Sequence, residues 1–346
     1  MHSDLPRLKY LLAAVALIVS GTTCTAHTSS QTEKNSSGTP AAAVAQDAPG
    51  HFVRLVAGAE HTCALQGDGR VLCWGANQYG QLGPRDDGDE GLAGLVAGVE
   101  EVVELAAGVR ETCGLTKRGE IFCWGQEFGA SPMRLEGGVN IRSLDVGFGV
   151  VALGEGGEVY TLKDSDGGRR HELVRKDGLE DVVEVIAGLP HCARTAAGAV
   201  LCWSIDDYKL WPGDGDLVAV QGLEQATSLS AGMYHHCAIE HDKTVKCWGL
   251  NRYGALGNGA SGVEIGGGWR YSTQAIRALG VTEAKKVFTG GMSSCALLES
   301  GSVSCWGANA YGQLGLPIET PGTVLQRNCG SGLGAIVSAA HAVTCG

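Results

Sequence analysis

The segment "CALQGDGRVLCWG" (Cys63 to Gly75) places two cysteines ten residues apart, with a tryptophan directly after the second. The frame returns as "CGLTKRGEIFCWG", "CARTAAGAVLCWS", "CAIEHDKTVKCWG" and "CALLESGSVSCWG". Cys63 and Cys73 are symmetric about Asp68, so a hairpin that sets them face to face has an odd loop. The usual odd loop has three residues, the last a glycine in the left-handed conformation. Gly69, Gly119, Gly157, Gly198 and Gly301 hold that place, and Lys243 is the exception. With residues 67–69 as the loop, the cysteines meet at a non-hydrogen-bonded pair. Alpha carbons there lie about 4.5 Å apart, at the short end of what a disulfide tolerates.

A further unit tests the pairing. Matching its "VAL" to the "CAL" of the others puts Val151 and Thr161 at the two cysteine positions, so both cysteines are missing together. Bonded partners are lost as a pair. The expected disulfides are Cys63–Cys73, Cys113–Cys123, Cys192–Cys202, Cys237–Cys247 and Cys295–Cys305, with Cys329–Cys345 as a sixth once Cys24 is set aside. Each small loop stabilises by roughly 3 kcal/mol in the chain-entropy view. The pattern points to an oxidising compartment. No C-x2-C pair is present, so zinc is not expected.

Neighbouring strand residues leave opposite faces. Cys73 can therefore staple its own hairpin while Trp74 packs on the next unit. Trp124, Trp203, Trp248 and Trp306 repeat this, with Leu162 in the cysteine-free unit. Ahead of each first cysteine, runs such as "VVELAAG" alternate like a half-buried strand. Their anchoring small residues are Gly58, Gly108, Gly147, Gly188, Gly232, Gly290 and Ala340, spaced 39 to 58 residues apart. Each interval has room for four short strands, one propeller blade. The expected fold is all-β: a propeller of about six and a half repeats, with seven blades, one of them degenerate, and six as the alternative.

The segments "GANQYGQLG" (75–83), "GLNRYGALG" (249–257) and "GANAYGQLG" (307–315) each follow a Cys-Trp. With the "AG..HTCAL..dG.v.CWG" frame they resemble regulator-of-chromosome-condensation repeats across residues 53–345. The resemblance is specific in units one, five and six, clear in two, and eroded in three and four. It implies a β-propeller, most often seven-bladed. Such propellers host unrelated activities, so the resemblance does not decide function.

The amino terminus reads as an export signal over residues 1–24: Arg7 and Lys9 precede the short apolar run "LLAAVALIV". Cys24 is a candidate lipid-attachment site, although Gly21 and Thr23 depart from the bacterial lipoprotein motif; cleavage after Ala26 would instead remove it. Residues 25–50 have the composition of a tether, and 51–346 form the single propeller domain. The expected location is therefore an outer-membrane or cell-surface lipoprotein, otherwise periplasmic or secreted. A formal charge of −11 argues against nucleic acid, whose phosphates need clustered Lys and Arg. A membrane enters only through the lipid anchor. An exported acidic chain also meets neither the nuclear GTPase nor the chromatin of the family's eukaryotic namesake, so nucleotide exchange is not expected.

Catalytic motifs such as G-x-S-x-G and H-E-x-x-H are lacking. His61, His191, His235 and His236 recur just before first cysteines, which points to a structural role. The acidic runs "RDDGDEG" (85–91) and "KDSDGG" (163–168) miss calcium-loop spacing and read as solvated loops. No cofactor or metal is expected. Insertions after the Cys-Trp strands carry Trp211, Trp269, Arg270 and Tyr271 outside the repeat frame. Trp, Tyr and Arg are the common anchors of binding hot spots, although such rings can also cover blade edges. The expected function is a non-enzymatic scaffold, receptor or inhibitor that binds a protein at or outside the cell envelope. A carbohydrate-binding surface and a loop-based enzyme are the alternatives.

Overall fold

The computed structural model describes residues 51–84, 93–138, 140–165, 170–204, 215–259, 271–309, 314 and 325–327. Its strands form six sheets, taken in chain order and each built as an antiparallel meander from an inner to an outer strand. The inner strands are Phe52–Ala57, Val102–Ala107, Ile141–Gly147, Val182–Ala187, Ala226–Ala231 and Ala284–Thr289. Five sheets have four strands; the third gains Glu136–Gly137, paired parallel to its outer strand Arg170–Arg175. The architecture is the expected all-β propeller. Among the described residues the sheets number six, and the seventh half-unit lies outside them.

The hairpins follow the sequence arithmetic. Gln66 N donates to Arg70 O, Gly69 N to Gln66 O, and Gly69 has φ +87°. Lys243 adopts the same left-handed state at φ +61°. The cysteines stand opposite each other in register, as Cys63↔Cys73 and Cys113↔Cys123 show. All five C-x9-C pairs are disulfide-bonded, with alpha carbons 4.0 to 4.1 Å apart. Val151 and Thr161 face each other at the matching place in the third sheet.

One expectation is corrected. Trp124 packs among Cys63, Leu65, Cys73 and Leu82 of the first sheet, and Trp306 among Cys237, Val245, Cys247 and Leu256 of the fifth. The tryptophan therefore points to the preceding sheet, and the disulfide points to the following one. Opposite faces of the strand were read correctly but assigned the wrong way round. The reason is the turn after the third strand. Its carbonyl, Gln81 O in the first sheet and Ala255 O in the fifth, accepts the indole N–H of Trp124 and Trp306 at 3.0 and 2.8 Å.

The inner strands are stitched by side chains that accept the next strand's backbone N–H. Glu104 accepts from Leu144, Asp145 from Ala187, Glu184 from Leu229 and Ser230 from Thr289. Close approach at the turns demands glycine. A β-carbon on Gly108 would lie 3.0 Å from Gly147 O, and one on Gly147 would overlap Ala187 O. Gly147→Ala is expected to destabilise by about 1–3 kcal/mol, the usual range for forced overpacking. Gly291→Ala, which meets nothing within 4 Å, should leave urea midpoints almost unchanged. Equal loss from both substitutions would refute this account of the turns.

Candidate partner-binding face

In a meander the inner turn and the connection leaving the third strand emerge at the same end of the sheet. Here they are bonded to each other. Ala76 N donates to Glu60 O, Gln126 N to Arg110 O, Leu250 N to Tyr234 O and Ala308 N to Met292 O, at 2.8 to 3.1 Å. Gly125 at the second of these junctions has φ +123°, and a β-carbon there would overlap Arg110 O. The backbone thus fixes the residues lying between the anchoring small residue and the first cysteine.

Those residues vary from unit to unit and include large apolar groups. Val109, Phe148, Met233, Tyr234 and Met292 are half-buried on this end. Phe148 and Tyr234 approach to 6.2 Å between ring centroids, although they belong to the third and fifth sheets. The Arg110 guanidinium lies 4.3 Å over the Tyr79 ring and donates to Gln126 Oε1 at 2.9 Å. Tyr253, in the fifth sheet's matching turn, is 49% exposed. Rigid rings and methionines on a fixed frame suit contact with another macromolecule.

The sequence-predicted binding residues fall elsewhere. Trp211, Trp269 and Arg270 lie outside the described residues, as do Cys24, Cys329, Cys345 and the 85–91 run; of 163–168 only 163–165 are described. Tyr271 opens the outer strand Tyr271–Arg277 opposite Leu250, and its side chain is not described. The strands that flank these insertions end on the same face as Tyr234. Sequence reasoning missed Phe148, Met233, Tyr234 and Met292. Their signal was available: the two residues after each turn glycine are the least repetitive part of the frame.

The four repeated histidines are buried at unit boundaries. His61 Nε2 meets Thr112 Oγ1 at 2.9 Å, and Thr112 donates its proton to Gln81 O. His61 must therefore donate through Nε2. His235 repeats this with Ser294, whose hydroxyl donates to Ala255 O, and His236 Nε2 donates to Pro190 O at 2.7 Å. A second proton would go onto Nδ1, which in His61 and His236 is buried and has no hydrogen-bond partner among the described residues. Burial accordingly pulls His61 and His236 down to about 4, and His191 and His235 to about 3, from 6.5. Burial raises Asp145 to about 6, against the Ala187 and Val146 N–H groups that favour its charged form.

Residues 52–81, 226–255 and 284–313 match the description "Regulator of chromosome condensation (RCC1) repeat", and a second match spans 68–115. Protein pim1 of Schizosaccharomyces pombe is 28% identical over 81% of this chain and 51% of its own length. Probable E3 ubiquitin-protein ligase HERC4 of Rattus norvegicus is 37% identical over 27% of this chain and 8% of its own. The chain therefore spans about half the length, or less, of these curated relatives. The solved structure of Saccharomyces cerevisiae Prp20p superposes with a TM-score of 0.67 at 21% identity, covering 80% of this chain and 77% of that one. Yeast Prp20 bound to Kap60 gives 0.66 at 20%, covering 80% and 75%.

Acid should loosen the unit boundaries. As pH falls below 6.5 the unfolded chain takes up protons that the folded histidines refuse, so stability declines from there towards about 4. Asp145 acts with the opposite sign: its contribution is complete below its unfolded value and is lost as pH rises through about 6. Burial also raises Glu104 and Glu111, which act in the same sense as Asp145 but with smaller shifts, and the four histidines with their larger shifts leave a net loss on acidification. Urea titrations between pH 7 and pH 5 should show it, and His61→Gln should flatten the slope by about one proton, roughly 1.4 kcal/mol per pH unit at most. An unchanged slope would mean that His61 is not neutral in the folded chain.

Proposed function

The chain is a β-propeller of regulator-of-chromosome-condensation repeats, and from that premise we propose that it is an exported, non-enzymatic scaffold that binds a protein at or outside the cell envelope. The observation that carries this reading is the face just described. Inner turns and third-strand ends are lashed together there, and Phe148, Met233, Tyr234 and Met292 stand half-exposed on a backbone that cannot yield. The strands on either side of the insertions that carry Trp211, Trp269 and Arg270, namely Val200–Trp203 and Val218–Ala219, and Val245–Leu250 and Tyr271–Arg277, meet this face. Export rests on the amino-terminal signal and the disulfide frame, and Cys24 is its anchor point when acylated.

The solved relatives support a protein as the partner class. Yeast Prp20 is bound to Kap60 in one of these structures, and Prp20p of the other has binding properties towards Gsp1p and histones. Those partners belong to those proteins. Nucleotide exchange and ubiquitin ligation do not come with the likeness: the chain covers 33% of the mouse secretion-regulating guanine nucleotide exchange factor and 8% of HERC4.

The test is capture from envelope and secreted fractions on the immobilised, oxidised protein. A stoichiometric partner should be retained by the native chain and lost, at least tenfold, by the triple variant Phe148→Ala, Tyr234→Ala, Met292→Ala. Glu101→Lys with Glu299→Lys, on the opposite end, should retain it. Melting of the triple variant must stay near that of the native chain. Loss of the partner from the opposite-end variant alone would move the site, and glycan retention without protein would replace the reading with a carbohydrate surface.

A further inference from the structure

The turn that leaves the third strand of the fifth sheet is held by two asparagines. Asn251 Oδ1 accepts Leu256 N at 3.0 Å, and Asn251 Nδ2 donates to Asn258 Oδ1 at 3.0 Å. So folded, the turn presents Ala255 O to the fifth–sixth boundary, where it accepts from Trp306 Nε1 at 2.8 Å and from Ser294 Oγ at 3.2 Å. The chain then runs hard against the next sheet. A β-carbon on Gly257 would lie 2.9 Å from Trp306 Nε1 and 3.0 Å from Ala278 Cβ, and Gly257 O accepts Leu279 N at 2.8 Å. Tyr253, exposed on the candidate face, stands in the same turn.

Asn258 is followed by Gly259. The side-chain carbonyl of an asparagine is open to attack by the next residue's backbone nitrogen, which closes a five-membered imide. Attack is least hindered when that next residue has no side chain. Three features leave this pair open. Both residues lie outside the strands, with Asn258 half-buried and Gly259 exposed. The Gly259 N–H donates to no group among the described residues. Gly259 has φ +74°, and a β-carbon there would meet only Leu279 Cδ1 among them, at 3.4 Å. Asn251 adds electrophilic help, because its N–H points at the Asn258 oxygen on which negative charge develops during attack. The other described asparagines lack this combination. Asn77, Asn140 and Asn251 precede Gln78, Ile141 and Arg252, and Asn77, Asn251 and Asn309 have Oδ1 bound by a turn N–H. Nor does folding call for asparagine here: the first sheet's turn, with its own Asn77 to Leu82 bond, carries Pro84 at the matching place.

We propose that Asn258–Gly259 is a modification site, at which the native chain loses ammonia and rebuilds its own backbone. Solvent hydroxide removes the Gly259 amide proton, and the nitrogen bonds to Asn258 Cγ. The Cγ–Nδ2 bond breaks, and ammonia leaves after taking a proton from water, which regenerates the hydroxide. A second water molecule then opens the imide ring. Opening at Cγ gives aspartate. Opening at the main-chain carbonyl gives isoaspartate, whose chain continues through Cβ and Cγ and is longer by one carbon. Either product adds one negative charge to the turn that carries Arg252 and Tyr253. The isoaspartate form also shifts the chain just after Gly257, which loosens the hold of Ala255 O on Trp306 and Ser294. An effect on partner binding rests on the function proposed above; the modification does not.

Peptide mapping of the oxidised full chain, incubated at pH 8, tests this. The peptide with Asn258 should gain one mass unit and become a substrate for an isoaspartyl methyltransferase. It should do so at least tenfold faster than the peptides with Asn77, Asn140 or Asn251, and faster still as hydroxide concentration rises. Asn258→Gln, whose longer side chain would have to close a six-membered ring, should stay unmodified. Hydrogen exchange over Ser293–Leu298 should quicken several-fold as the native chain ages, and not in Asn258→Gln. Equal rates at all four asparagines would overturn the proposal. So would a native chain that stays unmodified while the same segment, as a free peptide, loses ammonia, because the fold would then be shielding the bond. Modification with unchanged exchange would overturn the link from this turn to the boundary. Neither readout uses a partner, so their failure leaves the proposed function standing.

Discussion

The contact on which this structure depends is an indole set against a disulfide across two sheets. Trp124 lies against Cys63 and Cys73, Trp248 against Cys192 and Cys202, and Trp306 against Cys237 and Cys247. The disulfide is made within one hairpin, so it holds that hairpin flat without linking sheets covalently. The tryptophan then supplies the apolar area at the boundary, a ring of this size burying 150–250 Å² in general. Because the two residues are adjacent in sequence, one strand presents its staple forwards and its wedge backwards. A single dipeptide thus serves two boundaries.

The unit that lacks the staple shows how the arrangement tolerates a loss. Val151 and Thr161 replace the bonded pair, and Leu162 replaces the tryptophan but still packs on the second sheet's core. This sheet alone carries a fifth strand, Glu136–Gly137, among the described residues. Its third and outer strands also pair along six positions, from Tyr160↔Arg175 to Ser165↔Arg170. Longer pairing orders the hairpin through ladder bonds where the others rely on reduced unfolded-state entropy.

Most of the frame was legible because it rests on short-range geometry. Ten-residue spacing with a glycine at the seventh residue of the frame dictates a three-residue hairpin loop, and that loop sets Cys63 opposite Cys73. The direction of the tryptophan was not legible. Which face of a strand meets the earlier sheet depends on the handedness of the ring, and the anchoring acceptor, Gln81 O, is a backbone atom with no side-chain signature. The stitching by Glu104, Asp145, Glu184 and Ser230 was hidden for a related reason. It alternates between two positions of the inner strand, so no single column of the repeat displays it. The histidines were read as structural from their recurrence, and the network with Thr112 and Ser294 gives that recurrence its cause.

A repeated frame also separates what must be constant from what can vary. Glycine is required where one turn's backbone meets the next turn's carbonyl, and apolar bulk, supplied by cysteine and tryptophan in every sheet but the third, is required at the boundaries. At the two residues that follow the turn glycine no such contact constrains the side chain. Ala59 and Glu60, Val109 and Arg110, and Met233 and Tyr234 therefore differ in size and charge on backbones held by the same pair of hydrogen bonds. Those slots lie at one end of the sheets, beside the origins of the long insertions. Variation without cost to stability is thus concentrated on a single face. A ring fastened by interchangeable units can change its binding chemistry there, one turn at a time, while the hairpins at the opposite end keep the sheets in register.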